Sequence, residues 1–369
     1  MPAKRPHCSL IAPSFEGGGA ERVTINLANA LAADGVDVEL AVLASHGPFR
    51  SEVAPEVRVR DLGIRRVSAG FPKLVRYFRE LRPPVLLSAL DYINVAAIWA
   101  NQIAGSPAQV HVGVHNHATI GLRTSEHWRD RVLMRSAIRA SYGRAASVIT
   151  LTEAMADDLA ELSGLSCGHI TVLPNVVLTG REAAARAEAT EHPWAQDAER
   201  PLIVGIGRLH EQKNFPALID AFAPLAQDSR ARLVILGEGP ERPALAAMVA
   251  DLGLGDAVDL PGFAKNPHAL LARASLFVLS SRHEGLPTVL IEAMAAGCPV
   301  VATDCPTGPA EILQDGALGR LVPVDDVGAL RLAMRETLAT PVPAERLIAR
   351  AEDYSASRVV SLYRAHLGL

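Results

Sequence analysis

The sequence predicts an α/β protein made of two doubly wound parallel-sheet domains in series. Short β-rich runs alternate with longer helical runs, which is the pattern of a parallel sheet covered on both faces. The alternation is interrupted once, by a stretch rich in Ala, Glu and Arg at 181–197. At 369 residues the chain also exceeds one ordinary hydrophobic core. We therefore predict domains at 1–178 and 201–350, a partly helical connection at 179–200, and a final segment at 351–369.

In the first domain each predicted strand is a short run of apolar or β-branched residues. Cys8–Ala12 leads through Gly17-Gly18-Gly19 into a helix over 20–33, and Val38–Leu43 follows as the second strand. The glycines allow either a close approach of the backbone to a ligand or simply a tight turn. The later strands predicted by the same pattern are Val85–Ala89, Val110–Val114, Ser147–Leu151 and Ile170–Leu173.

The second domain repeats this alternation. Its first strand is Leu202–Ile206, and Phe215-Pro216 marks the start of the helix that follows. The further predicted strands are Arg232–Leu236, Val258–Leu260, Leu276–Leu279 and Val300–Thr303. Because doubly wound sheets bind ligands at the carboxyl ends of their strands, we expect a central ligand cleft that the two domains face.

Composition excludes several classes of protein. Hydrophobic residues make up 49% and charged residues 21%, a balance typical of globular proteins and not of disordered ones. No apolar run is long enough to span a bilayer. The four cysteines, at 8, 167, 298 and 305, show no CxxC spacing, which indicates the reduced thiols of a cytoplasmic protein.

Charge is unevenly distributed along the chain. The net charge is −4, yet residues 50–144 carry fifteen Lys/Arg against seven Asp/Glu. Twelve of these fifteen basic residues lie in two helix-like stretches, Arg65–Arg82 and Arg123–Arg144, where they alternate with apolar residues. Such helices either lie peripherally on an anionic membrane, here the inner face of the cytoplasmic membrane, or present a solvated face. Nucleic acid is not an expected partner, because the chain is acidic overall and carries no nucleic-acid motif.

The most informative segment is Ser281–Glu292. Glu284 lies in the loop before a predicted helix that opens at Pro287, a favoured first helical position, and Glu292 lies inside that helix. The first amides of the helix, near Thr288 and Val289, can stabilise a phosphate. The order carboxylate, amides, carboxylate suits a ligand with a hydroxylated group at each end and phosphates between, such as a nucleotide sugar.

Two cations lie in another strand-to-helix loop. Arg208 and Lys213 follow the strand Leu202–Ile206 directly and precede a helix start. Two cations in such a place can neutralise a diphosphate, and Arg can bind it bidentately. Alone they could equally be solvated loop residues, but beside Glu284 and Glu292 they predict a diphosphate site.

Two further patterns involve a strand end. Gly262 and Phe263 end a strand with free amides and an aromatic ring, which favours either a nucleobase site or an ordinary Pro-Gly turn. His111, His115 and His117 cluster near a strand end, but no Cys or acidic ligand is close in sequence, so no metal site is predicted. A polar residue facing the ligand cleft is the favoured interpretation of these histidines.

Together these segments resemble the retaining glycosyltransferases of family 4, which have the GT-B architecture of two facing Rossmann-like domains. The resemblance covers nearly the whole chain and is most specific from 202 to 325. The final segment resembles the family's last helix, which crosses back to the first domain. The matching motifs are Gly18–Val23, Pro174-Asn175-Val176, Gly207-Arg208 with Lys213, Gly237–Pro240, Pro261-Gly262-Phe263, and Glu284 with Glu292 in E-x7-E spacing.

The resemblance assigns roles to these residues. Arg208 and Lys213 would bind the donor diphosphate and stabilise the leaving group, Glu284 would contact the transferred sugar, and Glu292 the ribose. His115 would hydrogen-bond the sugar, with His117 as the alternative. The other donor-binding residues that it implies are Gly18, Gly19, Gly262, Phe263, Gly285, Leu286, Pro287, Thr288 and Val289.

The implied reaction transfers a hexose or N-acetylhexosamine from a nucleoside-diphosphate sugar with retention of anomeric configuration. A UDP-sugar is favoured and a GDP-sugar is the second choice. The acceptor would be a glycan or lipid-linked sugar in cell-surface polysaccharide or glycolipid synthesis, and neither a cofactor, a metal nor a protein nucleophile is required. Two alternatives remain: a GT-B nucleotide-sugar epimerase, which would need no acceptor, and a non-catalytic nucleotide-sugar-binding protein.

Overall fold

A computed structural model describes residues 7–16, 19–115, 117–120, 128–188, 190, 192–197, 199–264 and 266–369, with the backbone alone at 128–131 and at 167. The chain divides into two compact units. Unit 1 comprises residues 1–179 and 356–369, and unit 2 comprises 180–355. Each unit is a parallel sheet flanked by helices, so the predicted α/β class with two doubly wound, Rossmann-like sheets is confirmed.

Unit 1 contains a seven-stranded parallel sheet in the order β3-β2-β1-β4-β5-β6-β7. Every residue of β1, β2 and β4 is buried, as expected for a parallel sheet with both faces covered. The chain order reverses between β1 and β4, which makes the loops after these strands a topological switch point. The strands are β1 Cys8–Ala12, β2 Val38–Val42, β3 Arg58–Asp61, β4 Val85–Ala89, β5 Gln109–Val114, β6 Ser147–Thr150 and β7 Ile170–Val172.

Helices cover the sheet of unit 1. They bury leucine, isoleucine and alanine stripes against the strands, as Ile25, Ala28 and Leu31 of the first helix illustrate. Described residues of this unit form the helices α1 Gly19–Ala33, α2 Val67–Leu81, α3 Asp91–Ile103, α4 Trp128–Ser141 and α5 Glu153–Ser163.

Unit 2 contains a six-stranded parallel sheet in the order β10-β9-β8-β11-β12-β13. Its chain order reverses between β8 and β11, so the second switch point lies at the ends of these two strands. The strands are β8 Leu202–Ile206, β9 Arg232–Leu236, β10 Val258–Gly262, β11 Leu276–Leu279, β12 Val300–Thr303 and β13 Arg320–Val322.

The helices of unit 2 enclose a core that includes Phe215, Phe222 and Leu233. The last helix of the chain, α14 Ala356–Leu367, belongs to unit 1 and packs against α1. The helices before it are α6 Glu182–Ala187, α7 Phe215–Asp228, α8 Arg242–Asp251, α9 Pro267–Leu271, α10 Thr288–Ala295, α11 Pro309–Ile312, α12 Val327–Ala339 and α13 Ala344–Ala351. No helix within the described ranges is long and apolar enough to cross a membrane.

Two strands were not predicted, and both lie at sheet edges. β3 reads Arg-Val-Arg-Asp and β13 has three residues, so neither shows an apolar run. The Arg60 Nε donates to Glu39 Oε2 of the neighbouring β2 at 3.0 Å. Charged side chains are common on edge strands because they discourage pairing with other chains. Since three of the four residues of β3 are charged, the sequence shows no apolar run there.

The aromatic residues of α2 face the core. Leu74, Tyr77 and Phe78 are buried where α2 packs against α3, while the cations alternate with them on the exposed side. The aromatic and basic residues of Arg65–Arg82, which alternate in the sequence, therefore lie on different faces of the helix. Residues of two opposite helix faces look interleaved in the sequence, because a helix turns 100° per residue.

Candidate active site

Two side chains meet at the switch point of unit 2. Lys213 comes from the loop after β8 and Glu284 from the loop after β11. The Lys213 Nζ lies 2.6 Å from Glu284 Oε1, and the two side chains are 17% and 8% exposed. The ion pair is thus largely shielded from water, where electrostatic interactions are stronger than at a surface.

A second donor converges on the same carboxylate oxygen. Ser281 Oγ donates to Glu284 Oε1 at 2.6 Å, and Ser281 is buried. With Nζ and Oγ both on Oε1, the other oxygen, Oε2, has no hydrogen-bond partner among the described residues. Glu284 therefore keeps one oriented acceptor that a bound ligand can use.

The backbone of Glu284 is held by the loop after β12. The Glu284 amide donates to Pro306 O at 2.8 Å, and the Thr307 amide donates to Glu284 O at 3.0 Å. Gly308 follows with φ +99°, and a Cβ there would lie 2.7 Å from Pro287 Cδ. Only glycine fits this close approach without strain, so the loop clamps the segment that carries Glu284.

The loop that carries Lys213 is joined to the Glu284 loop by further hydrogen bonds. Ser280 Oγ donates to Lys213 O at 2.7 Å, the Arg282 amide to Gln212 O at 2.8 Å, and Gln212 Nε2 to His283 O at 2.9 Å. These bonds connect residues about seventy positions apart and preorganise the pair.

Gly207 makes room for the lysine side chain at the end of β8. A Cβ on Gly207 would lie 3.1 to 3.2 Å from Lys213 Cγ, Cδ and Cε. Arg208, the next residue, is exposed, and its side chain makes no hydrogen bond or ion pair with any residue the structure describes. One cation of this loop is therefore engaged by Glu284, and the other extends into solvent.

Helix α10 starts one residue later than predicted. Pro287 is its N-cap and not its first residue, because the Pro287 carbonyl accepts the Leu290 amide at 3.0 Å. Thr288 and Val289 stand in the first turn, whose amides have no intrahelical acceptor. Gly285 and Leu286 lead into this turn, and Glu292 lies half-buried within the helix.

The end of β10 borders a cavity of about 630 Å³ in unit 2. Gly262, with φ +91°, and Phe263, 79% exposed, form part of its lining. A second part comes from His192, whose Nε2 lies 3.0 Å from Asp259 Oδ2. An exposed ring beside such a cavity can stack against a planar group.

In unit 1 the three histidines have separate surroundings. His117 Nδ1 lies 3.0 Å from Asp158 Oδ2, while His111 Nδ1 is 2.8 Å from Ser147 Oγ. His115 Nδ1 is buried without a hydrogen-bond partner in the described part of the chain. Burial lowers the pKa of His115 to about 4, so its imidazole is neutral at pH 7.

The glycine-rich turn falls mostly outside the described residues. Gly17 and Gly18 lie outside them, and Gly19 is the first residue of α1 with open space around its Cα. Its expected approach to a donor stays a prediction. Across the described ranges no group of three or more His, Cys, Asp or Glu residues is placed to hold a metal ion.

Sequence reasoning missed the residues that position the pair. Ser280 and Ser281 directly follow β11, and Thr307 follows β12. Polar residues at the carboxyl ends of adjacent parallel strands were the available signal. Which carboxylate they would hold could not be predicted, because it depends on contacts between separate loops.

The two halves of the chain match two family models. The model described as Glycosyltransferase Family 4 matches residues 17–181. The model described as Glycosyl transferases group 1 matches residues 187–354. Both models describe glycosyltransferases, and together they match most of the sequence.

Individual proteins agree with this assignment. The chain is 28% identical over 340 residues to the lipopolysaccharide core biosynthesis glycosyltransferase LpsE of Rhizobium meliloti, covering 91% of this chain and 90% of that protein. It is 26% identical to the amylovoran biosynthesis glycosyltransferase AmsD of Erwinia amylovora, covering 81% and 80%.

A solved structure shares the fold. HepE of Anabaena, crystallised in complex with UDP, superposes with a TM-score of 0.79 at 20% identity, covering 98% of this chain and 99% of that one. Each half of the chain folds into a Rossmann-like parallel sheet and matches a glycosyltransferase family model, and relatives such as LpsE match along most of its length. The chain therefore belongs to the glycosyltransferases of GT-B architecture and family 4 type.

Proposed function

We propose that this glycosyltransferase moves a hexose or N-acetylhexosamine from a nucleoside-diphosphate sugar to a glycan or lipid-linked acceptor, with retention of anomeric configuration. The observation that carries the proposal is the shielded Lys213–Glu284 pair at the switch point of unit 2. It stands beside the first turn of α10 and the unpaired Arg208. Cations, helix amides and an oriented carboxylate suit a diphosphate joined to a sugar.

The donor diphosphate is held by Arg208, Lys213 and the α10 amides in this proposal. Negative charge grows on the diphosphate as the glycosidic bond breaks, and fixed positive groups at that position lower the barrier. Arg208 has no competing partner among the described residues, whereas Lys213 is shared between Glu284 and the incoming phosphate. Arg208 thus binds the diphosphate, and Lys213 contacts both the phosphate and the carboxylate of Glu284, which contacts the sugar.

Glu284 orients the transferred sugar through Oε2, which has no partner among the described residues and accepts a hydrogen bond from a sugar hydroxyl. We assign Glu284 no nucleophilic role: Lys213 and Ser281 hold Oε1, and Oε2 serves as the hydrogen-bond acceptor for the sugar. Retention without a protein nucleophile requires attack on the same face from which the diphosphate leaves. His115, neutral at pH 7, adds a hydrogen bond to the sugar, and Glu292 accepts from the ribose.

The nucleobase occupies the region beside Gly262 and Phe263. The cavity there and the exposed ring support this placement, since every base has a face that stacks on an aromatic side chain. UDP is the favoured nucleotide because HepE was crystallised with it, and GDP is the second choice. The reaction needs no cofactor or metal in this proposal.

The acceptor belongs to cell-surface glycan synthesis. LpsE is a lipopolysaccharide core enzyme and AmsD an amylovoran biosynthesis enzyme by their names. Their similarity along most of the chain favours a lipopolysaccharide or exopolysaccharide acceptor, which unit 1 would bind. We place the reaction in the cytoplasm, at the inner face of the membrane where such acceptors are built.

The proposal is tested in two steps. A thermal-shift screen of UDP, GDP and their sugars should show one nucleotide raising the melting temperature, because a ligand that binds only the folded state stabilises it. Lys213→Ala and Arg208→Ala should each lower transfer roughly 100-fold or more, the usual effect of removing one preorganised charge-stabilising group. Near-normal transfer in both variants would contradict the phosphate roles.

Product analysis separates the alternatives. NMR of the product should show the anomeric configuration of the donor in the new linkage. Formation of an epimeric nucleotide sugar without acceptor would indicate an epimerase. Nucleotide binding without any turnover, across sugar acceptors, would indicate a binding protein.

A further inference from the structure

Unit 1 has a cavity of its own at the carboxyl ends of four strands. Its volume is about 590 Å³, and it is lined by the loops after β1, β2 and β3, the start of α2 and the first turn of α3, which follows β4. The site includes the switch point between β1 and β4, where doubly wound sheets bind ligands. All of its lining residues belong to unit 1.

Two arginines of this cavity are unused. Arg65 and Arg66 are exposed, and neither side chain makes a hydrogen bond or ion pair with any described residue. Other arginines nearby are paired: Arg60 Nη2 lies 3.0 Å from Glu39 Oε2, and Arg76 Nε 3.8 Å from Glu80 Oε1. The two guanidinium groups are available for an anion, which they can bind bidentately.

The start of α2 adds backbone donors to the same cavity. Arg66 is the N-cap and provides no side-chain cap, and the first helical bond runs from the Gly70 amide to Arg66 O at 2.9 Å. The amides of Val67, Ser68 and Ala69 thus precede the first intrahelical bond of a 15-residue helix. An oxyanion is favoured at such an end.

A buried hydroxyl at the cavity also has a spare donor. Ser14 is 7% exposed and lines the cavity, and its Oγ accepts the Glu16 amide at 3.3 Å. Its proton has no acceptor among the described residues. The acidic side chain at the cavity, Glu16, is engaged by His46, whose Nε2 lies 2.8 Å from Glu16 Oε1. The unbalanced charge of the lining is therefore positive.

An aromatic ring stands beside these donors. Tyr92 is partly exposed in the cavity wall, and burial, followed by Glu21, raises the pKa of its phenol, so the ring is neutral. Sugar rings pack their C–H faces on such side chains. The cavity thus combines an anion-binding corner with a flat apolar surface.

We propose that this cavity binds the phosphate of a phosphorylated sugar and so selects an acceptor whose sugar is joined to phosphate. Arg65, Arg66 and the α2 amides hold the phosphate oxygens, and Tyr92 contacts the sugar. The proposal rests on the proposed function, which leaves the acceptor's chemistry open. A phosphate has more acceptor oxygens than a carboxylate and can engage both arginines and an amide together.

Isothermal titration calorimetry on the full chain tests this. UDP and GDP are both present at saturation, so that the phosphate-binding residues proposed in unit 2 are occupied. The titrants are glucose 1-phosphate, glucose, glucuronate and glucosyl diphosphate joined to a farnesyl chain. The variants are Arg65→Gln, Arg66→Gln and the double change, with Arg76→Gln, a paired arginine of the same helix, as control.

Glucose 1-phosphate should bind the unaltered protein with clearly higher affinity than glucose or glucuronate. Each single arginine change should weaken binding roughly tenfold, the effect of one charge-assisted hydrogen bond, and Arg76→Gln should leave it unchanged. Equal binding of glucose, tighter binding of glucuronate, or an unaffected double variant would each overturn the proposal.

The farnesyl compound identifies the source of the phosphate. Tighter binding than glucose 1-phosphate supports a lipid-linked diphosphate acceptor, and equal binding supports a lipid-free phosphorylated sugar. Failure of the proposed function looks different, because neither UDP nor GDP would then bind in control titrations. The arginine dependence of glucose 1-phosphate binding is measured independently of that result.

Discussion

At the scale of single residues, the oxygen atoms of Glu284 are not equivalent. Oε1 accepts hydrogen bonds from Lys213 Nζ and Ser281 Oγ, each at 2.6 Å, and these two bonds orient Oε2. The carboxylate is buried, so its orientation is set by these contacts and not by water. Ser281 is therefore a positioning residue, since it acts on the sugar only through Glu284.

Replacing Ser281 tests this role. Ser281→Ala should lower kcat about tenfold with little change in the KM of the donor, because the lost hydrogen bond of about 1.5 kcal/mol aligns the carboxylate and does not bind the diphosphate. Ser281→Thr should restore most of the rate. Steady-state kinetics measure both.

The control for this change is Ser229→Ala. Ser229 Oγ donates to Leu225 O at the end of α7, away from the pair. It should leave kcat and KM unchanged. A rise in KM alone for Ser281→Ala would show that the serine supports binding and not alignment.

At the scale of elements, α14 is attached to unit 1 through a histidine pair. Ser147 Oγ on β6 contacts His111 Nδ1 at 2.8 Å and His366 Nε2 at 2.7 Å. Burial, followed by the charge of His366, lowers the pKa of His111 to about 4, and burial lowers that of His366. Both rings are therefore neutral in the folded protein at pH 7.

This arrangement predicts acid sensitivity. Between the ordinary pKa of 6.5 and the folded value of about 4 for His111, the unfolded chain binds more protons than the folded one. The free energy of unfolding therefore falls as pH falls through that window, by at most about 1.4 kcal/mol per pH unit for one histidine.

Urea denaturation at pH 7, 6 and 5 measures this slope. His111→Gln should reduce the slope by the share of one histidine, because glutamine does not titrate, while His115 and His366, whose pKa values burial also lowers, keep their contributions. The exposed His210→Gln in unit 2 is the matched control and should keep the full slope. Equal slopes in the unaltered protein and His111→Gln would contradict the assignment.

The basic helices differ in what they present to solvent. α2 buries its aromatic residues, whereas α4 exposes Val132 by 56% and Leu133 by 67% beside Arg135. Membrane contact is one of the two interpretations of these helices, and if unit 1 contacts an anionic membrane, α4 supplies both the apolar and the basic contact.

Vesicle flotation tests this contact. The protein should float with phosphatidylglycerol vesicles more than with phosphatidylcholine vesicles, and Val132→Ser with Leu133→Ser should reduce flotation severalfold, since buried apolar area supports interfacial binding. Leu332→Ser, which removes a similarly exposed leucine from unit 2, is the control. Absence of flotation with either lipid would contradict membrane contact.

At the scale of the whole molecule, the chain returns to its first unit to complete a core. The Ala356 amide donates to Leu178 O at 2.8 Å, where the chain re-enters unit 1. Val359, Val360 and Tyr363 of α14 are buried with Leu10 and Leu31. Unit 1 is thus built from both ends of the sequence, and its stability depends on residues 356–369.

Two neighbouring residues of α14 test this dependence. Tyr363→Ala should lower the free energy of unfolding by about 3 to 5 kcal/mol, because it leaves a cavity in the core of unit 1. Leu362→Ala, one position away on the exposed face, should change it by less than about 0.5 kcal/mol. Chemical denaturation followed by tryptophan fluorescence compares them, and equal effects would contradict the core assignment.

The sequence by itself determined the α/β class, both sheets apart from β3 and β13, and the family resemblance that the comparisons confirm. It also singled out Lys213 and Glu284, although they lie about seventy residues apart. The fold predictions succeeded because strand runs and helix starts are local patterns. Lys213 and Glu284 meet because parallel topology brings the carboxyl ends of strands together, and their roles toward a donor stay predictions.

Only the tertiary structure decided which donors share Glu284 Oε1. It also showed that His117 contacts Asp158, while His115 Nδ1 has no partner among the described residues. It alone showed that the aromatic residues of α2 face inward and that Arg65 and Arg66 border a cavity. The physical reason is the same in each case. Contacts between residues far apart in sequence fix a side chain's partners, its burial and its pKa, and no local pattern encodes them.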